Sequence, residues 1–520
     1  MVRTIRTHRR NRTAAAALVA LVGTPLVLLG CKPKEEPAPP PEPAPVVQAP
    51  EPVEPEREYP DPPPPTAPTP VKFPDLQKFM VEKNKLPVYV VENHEVPLVS
   101  AQIVINAGSM DDRYLAEMTA SMLGEGTKKR KKAKIDAEIE QVGASIGEFA
   151  GIHSTYVSTR VLKRDLKLAL TLLADEVMNP AFPQEAIDKL KNQAKTGIKA
   201  QKGNADFLAN TLFDMVAYPE GHPYGQPPQT EEEIDKITQD SLKKFHDGFY
   251  RANNAYLILS GDITVAEAEP LVKKTLGKWK AFDKLEDIPK NPLNKFDANA
   301  YKSRMPTKMV VHLVDRPGSA QSEVRVGNLA LARKHPDWAK VDVAQQILGG
   351  GSTGRLFLDI REERGLTYGI YTQVSSGQAP GTFRIWTKTK TKKTGEMMSA
   401  IFEHLDQMHK TDPTEEEFRD AVTQIVGSFP LQIETPGQIA GKVRTVLTYN
   451  LDENYFKTYR DKVLGVTREE IKTVAAKYMH PVPVMVVVGK AKKVVPQIQE
   501  AFKDMGGVEI ITYDLDLKRI

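Results

Sequence analysis

The chain has 520 residues, which is long enough for two or more domains that each bury a sizeable core. Its formal net charge of +4 depends on five arginines within the first twelve residues, and the rest of the chain carries −1. The charge therefore gives no support to a nucleic-acid-binding surface. The only cysteine, Cys31, excludes intrachain disulfides and metal sites built from several thiolates, so any metal would need histidine or carboxylate ligands.

The first 30 residues have the pattern of a secretory signal peptide. The basic segment MVRTIRTHRRNR precedes the apolar run AAAALVALVGTPLVLLG, which ends immediately before Cys31. The sequence LLGC resembles a bacterial lipobox, in which the cysteine becomes diacylated and N-terminal. The alternative is an ordinary signal peptide that is followed by a cysteine by chance. We expect a lipoprotein signal peptide over residues 1–30 and lipidation of Cys31.

Residues 31–70 are predicted to form a tether. Between Pro37 and Pro70 nearly every second residue is proline, so an extended, disordered linker is expected. At about 3.1 Å per residue, such a linker would reach on the order of 100 Å. Lys32 is not the aspartate that some bacteria use for inner-membrane retention. The expectation is a folded body anchored on the periplasmic side of the bacterial cell envelope, with the outer membrane favoured.

The folded part is predicted to start near residue 71 and to mix strands with helices. The segment LPVYVVENHEVPLVSAQIVINAGS alternates apolar and polar residues, which indicates a β-hairpin. Helices are expected in YLAEMTASML, KAKIDAEIEQVG, DLKLALTLLADEVMN and PQEAIDKLKNQAKTGIKAQ, and a strand pair in ASIGEFAGIHSTYVSTRVL. The first half then ends in a threonine-capped helix that leads into the buried strand NNAYLILSGD.

The second half repeats the order of the first. Near the C-terminus, VTREEIKTVAAKYMHPVPVMVVVGK matches the helix and strand that close the first half, with Thr467 corresponding to Thr238 and Gly489 to Gly261. The segment MVVHLVDRPGSAQSEVRVGNLAL likewise matches the opening hairpin. An internal duplication of roughly 220 residues explains this order. It predicts two homologous domains, over residues 71–285 and 286–520.

Several motifs, taken in order, resemble the M16 family of insulinase- and mitochondrial processing peptidase-like proteins over roughly residues 75–515. They are GS before the helix YLAEMTASML, GT after it, HPYG at residues 222–225, NNAYLILSGD, LGGGSTGRLFLDIREERGLTYGIY and GTFRI. The resemblance implies an α+β fold of LuxS/MPP-like type. Two homologous domains, each an antiparallel sheet packed with helices, would follow the signal peptide and the proline-rich linker.

Catalytic members of that family carry His-x-x-Glu-His on the helix between GS and GT. Histidines at i and i+4 share one helix face and bind zinc together, and the glutamate activates the metal-bound water. Counting back from Gly126–Thr127 places Glu117, Ala120 and Ser121 at these three positions. Gln193 lies nearest to the place of the third ligand, a glutamate on a later helix. The resemblance therefore implies a degenerate site, with no catalytic residue and no metal ligand in this chain.

The histidines that follow the leader offer no substitute for that motif. None of them forms an i, i+4 pair with an intervening glutamate, and His404 and His409 are five residues apart on a predicted helix. We expect structural or surface roles for these histidines. The sequence also contains no nucleotide-binding loop and no serine or cysteine nucleophile constellation.

The segment REERGLTYGI keeps two residues that the resemblance associates with substrate binding. In the family, an arginine and a tyrosine of the second domain bind and orient substrate over the zinc of a facing first domain, and Arg361 and Tyr368 match them. Arginine can donate two hydrogen bonds to a carbonyl or carboxylate, and tyrosine can stabilise an oxyanion. The alternative is structural: Arg361 would pair within its helix, and Tyr368 would be an ordinary strand residue.

A chain without zinc ligands but with the Arg361–Tyr368 pair resembles the non-catalytic subunit of heterodimeric bacterial M16 peptidases. The expected function is to bind peptide substrates in the cell envelope, together with a homologous partner that carries His-x-x-Glu-His. Zinc is then expected in that partner, and no cofactor in this chain. Two alternatives stay open: a structural or peptide-binding envelope lipoprotein with no peptidase role, and an M16 metallopeptidase that is active alone through atypical ligands.

Overall fold

The computed structural model describes residues 73–520. The predicted signal peptide, Cys31 and the predicted linker over residues 31–70 lie outside the described residues. Within residues 73–520, no helix combines the length and the apolar character that a membrane-spanning segment needs.

The first half forms, in chain order, β1 (Gln77–Val81), β2 (Leu86–Glu92), β3 (Leu98–Ile105), α1 (Arg113–Leu123), α2 (Lys132–Glu140), β4 (Ile146–Ala150), β5 (Thr155–Leu162), α3 (Leu166–Met178), α4 (Gln184–Gly203), α5 (Ala205–Ala217), α6 (Glu231–Asp235), α7 (Gln239–Phe249), β6 (Ala255–Gly261) and α8 (Val265–Leu276). The second half forms α9 (Ala298–Lys302), β7 (Val310–Asp315), β8 (Gln321–Leu329), α10 (Trp338–Gly349), a π-helix (Phe357–Glu363), β9 (Thr367–Val374), β10 (Thr382–Lys390), α11 (Thr394–Lys410), α12 (Glu415–Ser428), α13 (Pro436–Thr448), α14 (Tyr455–Leu464), α15 (Arg468–Tyr478), β11 (Val484–Gly489), α16 (Ala491–Ala501) and β12 (Glu509–Tyr513).

The two halves build sheets with matching strand orders. The first sheet is β1-β2-β6-β3-β5-β4, and the second is β12-β7-β11-β8-β10-β9. In each, the third strand of the order (β6 or β11) runs parallel to one neighbour and antiparallel to the other. The outer strands differ, because β1 precedes β2 and pairs antiparallel with it, whereas β12 ends the half and pairs parallel with β7. The predicted α+β fold with two homologous domains is confirmed.

Two details of the sequence interpretation are wrong. The segments predicted as opening hairpins form β2 and β3, and β7 and β8, but in each case a third strand lies between the two. Tyr89 pairs with Ile258 of β6, and Ala101 pairs with Leu259 of β6. The sheets are therefore mixed rather than antiparallel. The physical reason is that β6 and β11 are apolar on both faces, and a central position in the sheet allows both faces to be buried.

The helix–strand units that close the two halves have the predicted caps. Thr238 Oγ1 accepts a hydrogen bond at 3.1 Å from the amide of the third residue of α7, and the Glu470 carboxylate accepts one at 3.0 Å from the amide of Thr467 before α15. Gly261 ends β6 with φ at +128°, and a Cβ there would lie 2.0 Å from the carbonyl oxygen of Leu98. Only glycine fits such a close approach.

Each sheet is covered on one face by a helix from the other half of the chain. α5 packs on the second sheet, where Phe213 and Val486 belong to one buried cluster. α13 packs on the first sheet, on the face that carries Tyr256 and Ile258 of β6. α3 and α8 cover the opposite face, to which β6 contributes Leu257 and Leu259. Both faces of β6 are thus buried, as its apolar sequence requires.

Polar contacts join α5 to the second sheet. Arg325 on β8 is 1% exposed, contacts Asp206 and donates to Asn210 Oδ1 at 2.9 Å. Arg384 on β10 also donates to Asn210 Oδ1, at 3.0 Å, and its guanidinium lies 4.4 Å from the centre of the Phe213 ring. A buried arginine without such acceptors would be costly, so these contacts fix the position of α5. The predicted domain boundary at residues 285–286 separates the strands of the first sheet from those of the second. Helices α5 and α13, however, each pack on the sheet of the other half, so the boundary stays a prediction.

We expect Phe213→Ala to lower the free energy of unfolding by about 3–5 kcal/mol, because it empties a buried site between α5 and the second sheet. The folded body should still unfold in one transition, since α5 and α13 tie the two halves together. Denaturant titration followed by circular dichroism measures both quantities. Lys199→Ala removes an exposed side chain of α4 and serves as the control. A loss below about 1 kcal/mol, or separate transitions of the two halves, would contradict the packing described above.

Candidate functional site

The start of α1 is fixed by a close backbone contact and a cap. A Cβ on Gly108 would lie 2.4 Å from the carbonyl oxygens of Gly151 and Ile152, so only glycine fits at this point of the GS motif. Asp112 then caps the helix, because its Oδ1 accepts hydrogen bonds from the amides of the second and third helical residues at 3.1 and 2.9 Å. The GS segment therefore has a structural explanation that needs no metal.

The turn after α1 depends on a buried carboxylate. Gly126 has φ at +109°, and Thr127 Oγ1 donates to Asp175 Oδ2 at 2.8 Å. Asp175 Oδ2 also accepts a hydrogen bond from Arg130 Nη1 at 2.6 Å, and Asp175 Oδ1 accepts one from Asn179 Nδ2 at 3.0 Å. These bonds satisfy the buried charge of Asp175 and hold the GT turn in place.

The inner side of α1 packs as part of the core. Met118 and Met122 belong to a buried cluster with Ile187 of α4 and Leu242 of α7. Leu123 is fully buried in the larger core of the first domain. The packing of α1 therefore depends on apolar side chains that do not belong to the family's zinc motif.

The four positions of the predicted degenerate zinc site do not fit the metal. Ala120 is buried and has no ligand atom. Glu117 and Ser121 are exposed, and Ser121 Oγ donates to the carbonyl oxygen of Glu117 at 3.0 Å. Gln193 is exposed on α4. Within residues 73–520, no group of three or more histidine, cysteine, aspartate or glutamate side chains is placed to hold a metal ion, and these four residues lack the nitrogen, sulfur or paired carboxylate ligands that zinc prefers.

Two glutamates near the end of α1, the half-buried Glu148 and the buried Glu176, were missed by the sequence interpretation. A Cβ added to Gly124 would lie 2.8 Å from the carboxylate of Glu148 on β4. Glu176 on α3 is fully buried, and neither of its carboxylate oxygens has a hydrogen-bond partner in the described part of the chain. Burial and repulsion from Glu148 raise the pKa of Glu176 to about 9, and burial raises the pKa of Glu148 to about 6. The only signal in the sequence is the adjacent pair Asp175–Glu176 within an apolar helix.

The structure brings Arg361 and Tyr368 together at the edge of the second sheet. Arg361 Nε donates to the carbonyl oxygen of Tyr368 at 3.1 Å, and the guanidinium lies 5.6 Å from the centre of the Tyr368 ring. The guanidinium also lies 4.7 Å from the centre of the Phe357 ring and contacts the carboxylate of Glu362. The Tyr368 residue is 86% exposed on the edge strand β9.

Both interpretations of this pair therefore find support in its surroundings. Pairing of Arg361 within its own helix is present, as the structural alternative predicts. The ring of Tyr368 is nevertheless open to another molecule. Arg361 belongs to the π-helix, and π-helical turns are uncommon and often occur at functional sites. The assignment of the pair to substrate binding stays a prediction.

Three buried histidines of the described chain are hydrogen-bonded within the fold. His153 is hydrogen-bonded to the Tyr224 hydroxyl at 2.8 Å, and His404 Nε2 to Asp359 Oδ2 at 2.7 Å. His246 Nε2 is hydrogen-bonded to the carbonyl oxygen of Val177 at 2.8 Å. Burial lowers the pKa of His153 to about 4, so this imidazole is neutral at physiological pH.

Models of two parts of one protein family match this chain. The model described as insulinase (peptidase family M16) matches residues 88–221, and the model described as peptidase M16 inactive domain matches residues 236–425. The chain belongs to the M16 peptidase family. The resemblance inferred from the short motifs is thereby confirmed.

Proteins similar to this chain over most of its length are named both as proteases and as a non-peptidase homolog. An uncharacterized zinc protease of Streptomyces coelicolor is 24% identical over 71% of this chain and 79% of its own length. The non-peptidase homolog YmxG of Helicobacter pylori is 24% identical over 75% of this chain and 88% of its own length. A solved peptidase M16 inactive domain from Pseudomonas fluorescens is 29% identical, with a TM-score of 0.70, over 80% of this chain and 98% of that one.

We expect Glu176→Gln to stabilise this M16 chain at neutral and alkaline pH. In the folded chain burial raises the pKa of Glu176 to about 9, whereas the ordinary value is 4.5. The folded state therefore binds a proton that the unfolded state has lost. Ionisation of Glu176 does not reduce the free energy of unfolding below pH 4.5, and it reduces this free energy increasingly as the pH rises towards 9. Glutamine has no proton to lose, so the decline should become shallower.

Thermal unfolding of the wild type and of Glu176→Gln at a series of pH values between about 5 and 9 measures this effect. Glu185→Gln changes an exposed glutamate at the start of α4 and should follow the wild-type profile. Parallel profiles for the wild type and Glu176→Gln would show that Glu176 ionises normally in the folded chain.

Proposed function

We propose that this chain is the non-catalytic, peptide-binding subunit of a heterodimeric, zinc-dependent M16 endopeptidase of the cell envelope. One observation carries the proposal: α1 keeps its frame without its ligands, while Arg361 and Tyr368 are paired at an exposed sheet edge. Zinc would be held by a homologous partner that carries His-x-x-Glu-His. This chain would supply contacts to the substrate and no metal ligand. The H. pylori relative is named a non-peptidase homolog, which supports this division of roles.

Exposed strand edges support the binding of extended peptides. β4 is the last strand of the first sheet, so its outer N–H and C=O groups are able to pair with an added strand. Phe149 on β4 is 55% exposed and Ile152 is 44% exposed, which gives apolar contacts at the same edge. The duplicated order of the sheets makes β9, which carries Tyr368, the corresponding edge of the second domain.

The contacts of Arg361 support a role in orienting a substrate. Because Nε is bonded to the Tyr368 carbonyl oxygen, the guanidinium is held in one orientation beside the tyrosine ring. In the proposed complex, Arg361 would donate to a carbonyl or carboxylate of the peptide. Tyr368 would donate to the oxygen that gains negative charge in the partner's site. A side chain that is already fixed loses little entropy when it binds.

Co-expression with an M16 homologue that carries His-x-x-Glu-His tests the proposal. We expect the two chains to co-purify and to cleave an unstructured peptide faster than the homologue alone. Arg361→Ala should lower kcat/KM roughly 10- to 100-fold, which corresponds to the loss of a hydrogen bond to a charged group. Tyr368→Phe should lower kcat while the complex still forms.

Arg419→Ala removes an exposed arginine of α12 and should cleave like the wild type. Unchanged cleavage by the Arg361→Ala complex would remove the role assigned to that residue. Failure to co-purify with any such homologue would favour a structural or peptide-binding lipoprotein. Stoichiometric zinc and chelator-sensitive cleavage by this chain alone would favour a peptidase with atypical ligands.

We also propose that a lipid on Cys31 anchors the chain to a membrane on its periplasmic side, with the outer membrane favoured. The apolar run that ends in LLGC supports this proposal. We expect Cys31→Ala to move the protein from the membrane fraction to the soluble fraction and to abolish incorporation of a labelled fatty acid. Retention of the label by the variant would exclude this cysteine as the lipidation site.

A further inference from the structure

A cavity of about 450 Å³ lies among the helices of the second domain. The end of α10 and the glycine-rich turn over residues 350–353 form one side, and residues of α12, α13 and α14 form the others. Neither the positions on α1 nor the Arg361–Tyr368 pair lines this cavity. It is therefore separate from the surfaces to which the peptidase role is assigned.

Two cationic side chains line the cavity, Arg333 from the segment before α10 and Lys442 from α13. Among the residues that the structure describes, no carboxylate forms an ion pair with either of them. Arg355, beside the same glycine-rich turn, behaves differently, because it makes a bidentate ion pair with Glu417 at 2.6 and 2.8 Å. Arg333 and Lys442 thus differ from this neighbouring arginine in having no carboxylate partner among the described residues.

Aromatic rings hold both cations in position. The guanidinium of Arg333 lies 4.2 Å from the ring centre of Trp338, and its Nε is buried without a hydrogen-bond partner in the described chain. Lys442 Nζ lies 5.1 Å from the ring centre of Phe456 and donates to Gln432 Oε1 at 2.7 Å. A cation–π contact fixes a charge without neutralising it. The two positive charges therefore stay at the cavity.

The acidic side chain at this cavity does not balance the two cations. Among the described lining residues, Asp342 is the one carboxylate, and the Tyr459 hydroxyl donates to it. Burial raises the pKa of Asp342. Burial and the neighbouring Arg333 charge lower the pKa of Lys442. Two like charges in a partly buried site repel each other, and a bound anion would relieve that repulsion.

We propose that this cavity binds an oxyanion, the phosphate or carboxylate group of a small ligand. Arg333 supplies a planar set of N–H donors that matches either group, and Lys442 supplies a second charge. Ser352 and Thr353 bring hydroxyl groups to the same cavity, and the ring of Phe456 offers an apolar surface to the rest of the ligand. The inference does not depend on the proposed peptidase role, because the two use different residues.

Isothermal titration of the purified chain with inorganic phosphate, acetate and N-acetylphenylalanine, in chloride buffer at constant ionic strength, tests the proposal. We expect saturable binding of at least one of these oxyanions. Lys442→Gln and Arg333→Gln should each weaken that binding by about tenfold or more, the value of one hydrogen bond to a charged group. Binding of phosphate alone would assign the phosphate class, and binding of the carboxylates alone would assign the carboxylate class.

Lys410→Gln removes an exposed lysine of α11 and should bind like the wild type. Arg333 also packs on Trp338, so the thermal unfolding of each variant is measured first, and Lys442→Gln decides the question if Arg333→Gln does not fold. Equal affinity of Lys442→Gln and the wild type would overturn the proposal. The absence of saturable binding for all three probes would also overturn it.

Discussion

Burial of β6 and β11 on both faces is the constraint on which the rest of the structure depends. Each strand is buried along its whole length and lies at the centre of its sheet. The helices of the same half cover one face, and a helix of the other half, α13 or α5, covers the second face. Neither half could bury its central strand alone, so hydrophobic burial makes the two homologous domains mutually dependent.

This exchange of helices also sets the arrangement of the candidate surfaces. At one junction, the Arg444 guanidinium lies 3.8 Å from the ring centre of Tyr156, and the Tyr256 and Thr448 hydroxyls are 3.3 Å apart. Such contacts fix α13 against the first sheet, whose far edge is β4. The edge strands β4 and β9 therefore belong to two sheets that α5 and α13 join.

The position of α1 is fixed by contacts at its two ends and along its inner side. Its ends are held by Asp112 and by the Thr127–Asp175 hydrogen bond, and its inner side packs through methionine and leucine side chains. None of these groups occupies a position of the zinc motif. The residues at the predicted motif positions are compatible with this packing, since Ala120 is small and buried and Ser121 donates a hydrogen bond to the carbonyl oxygen of Glu117 within the helix. The packing of α1 thus depends mainly on residues outside the predicted motif positions.

Much of the secondary structure could be predicted from local sequence patterns, whereas most of the contacts between distant segments could not. The capping threonines Thr238 and Thr467 and the strand pair β4–β5 were predicted correctly, because they depend on residues close together in the chain. The hairpin of β2 and β3 was predicted wrongly, because its alternating pattern identifies two strands but not β6, which comes from much later in the chain and separates them. The burial of Glu176 was missed for the same reason, since depth in the core depends on distant elements.

The sequence by itself determined that this chain contains no His-x-x-Glu-His pattern, and it predicted a degenerate zinc site at Glu117, Ala120 and Ser121. It also determined the duplication, since both copies retain the same order of caps and strands. Only the tertiary structure decided that the Arg361 side chain is bonded to the Tyr368 carbonyl oxygen and that Tyr368 is exposed. It alone placed Arg333 and Lys442 at one cavity. The physical reason is that side-chain chemistry is local, whereas exposure and proximity depend on how distant segments pack.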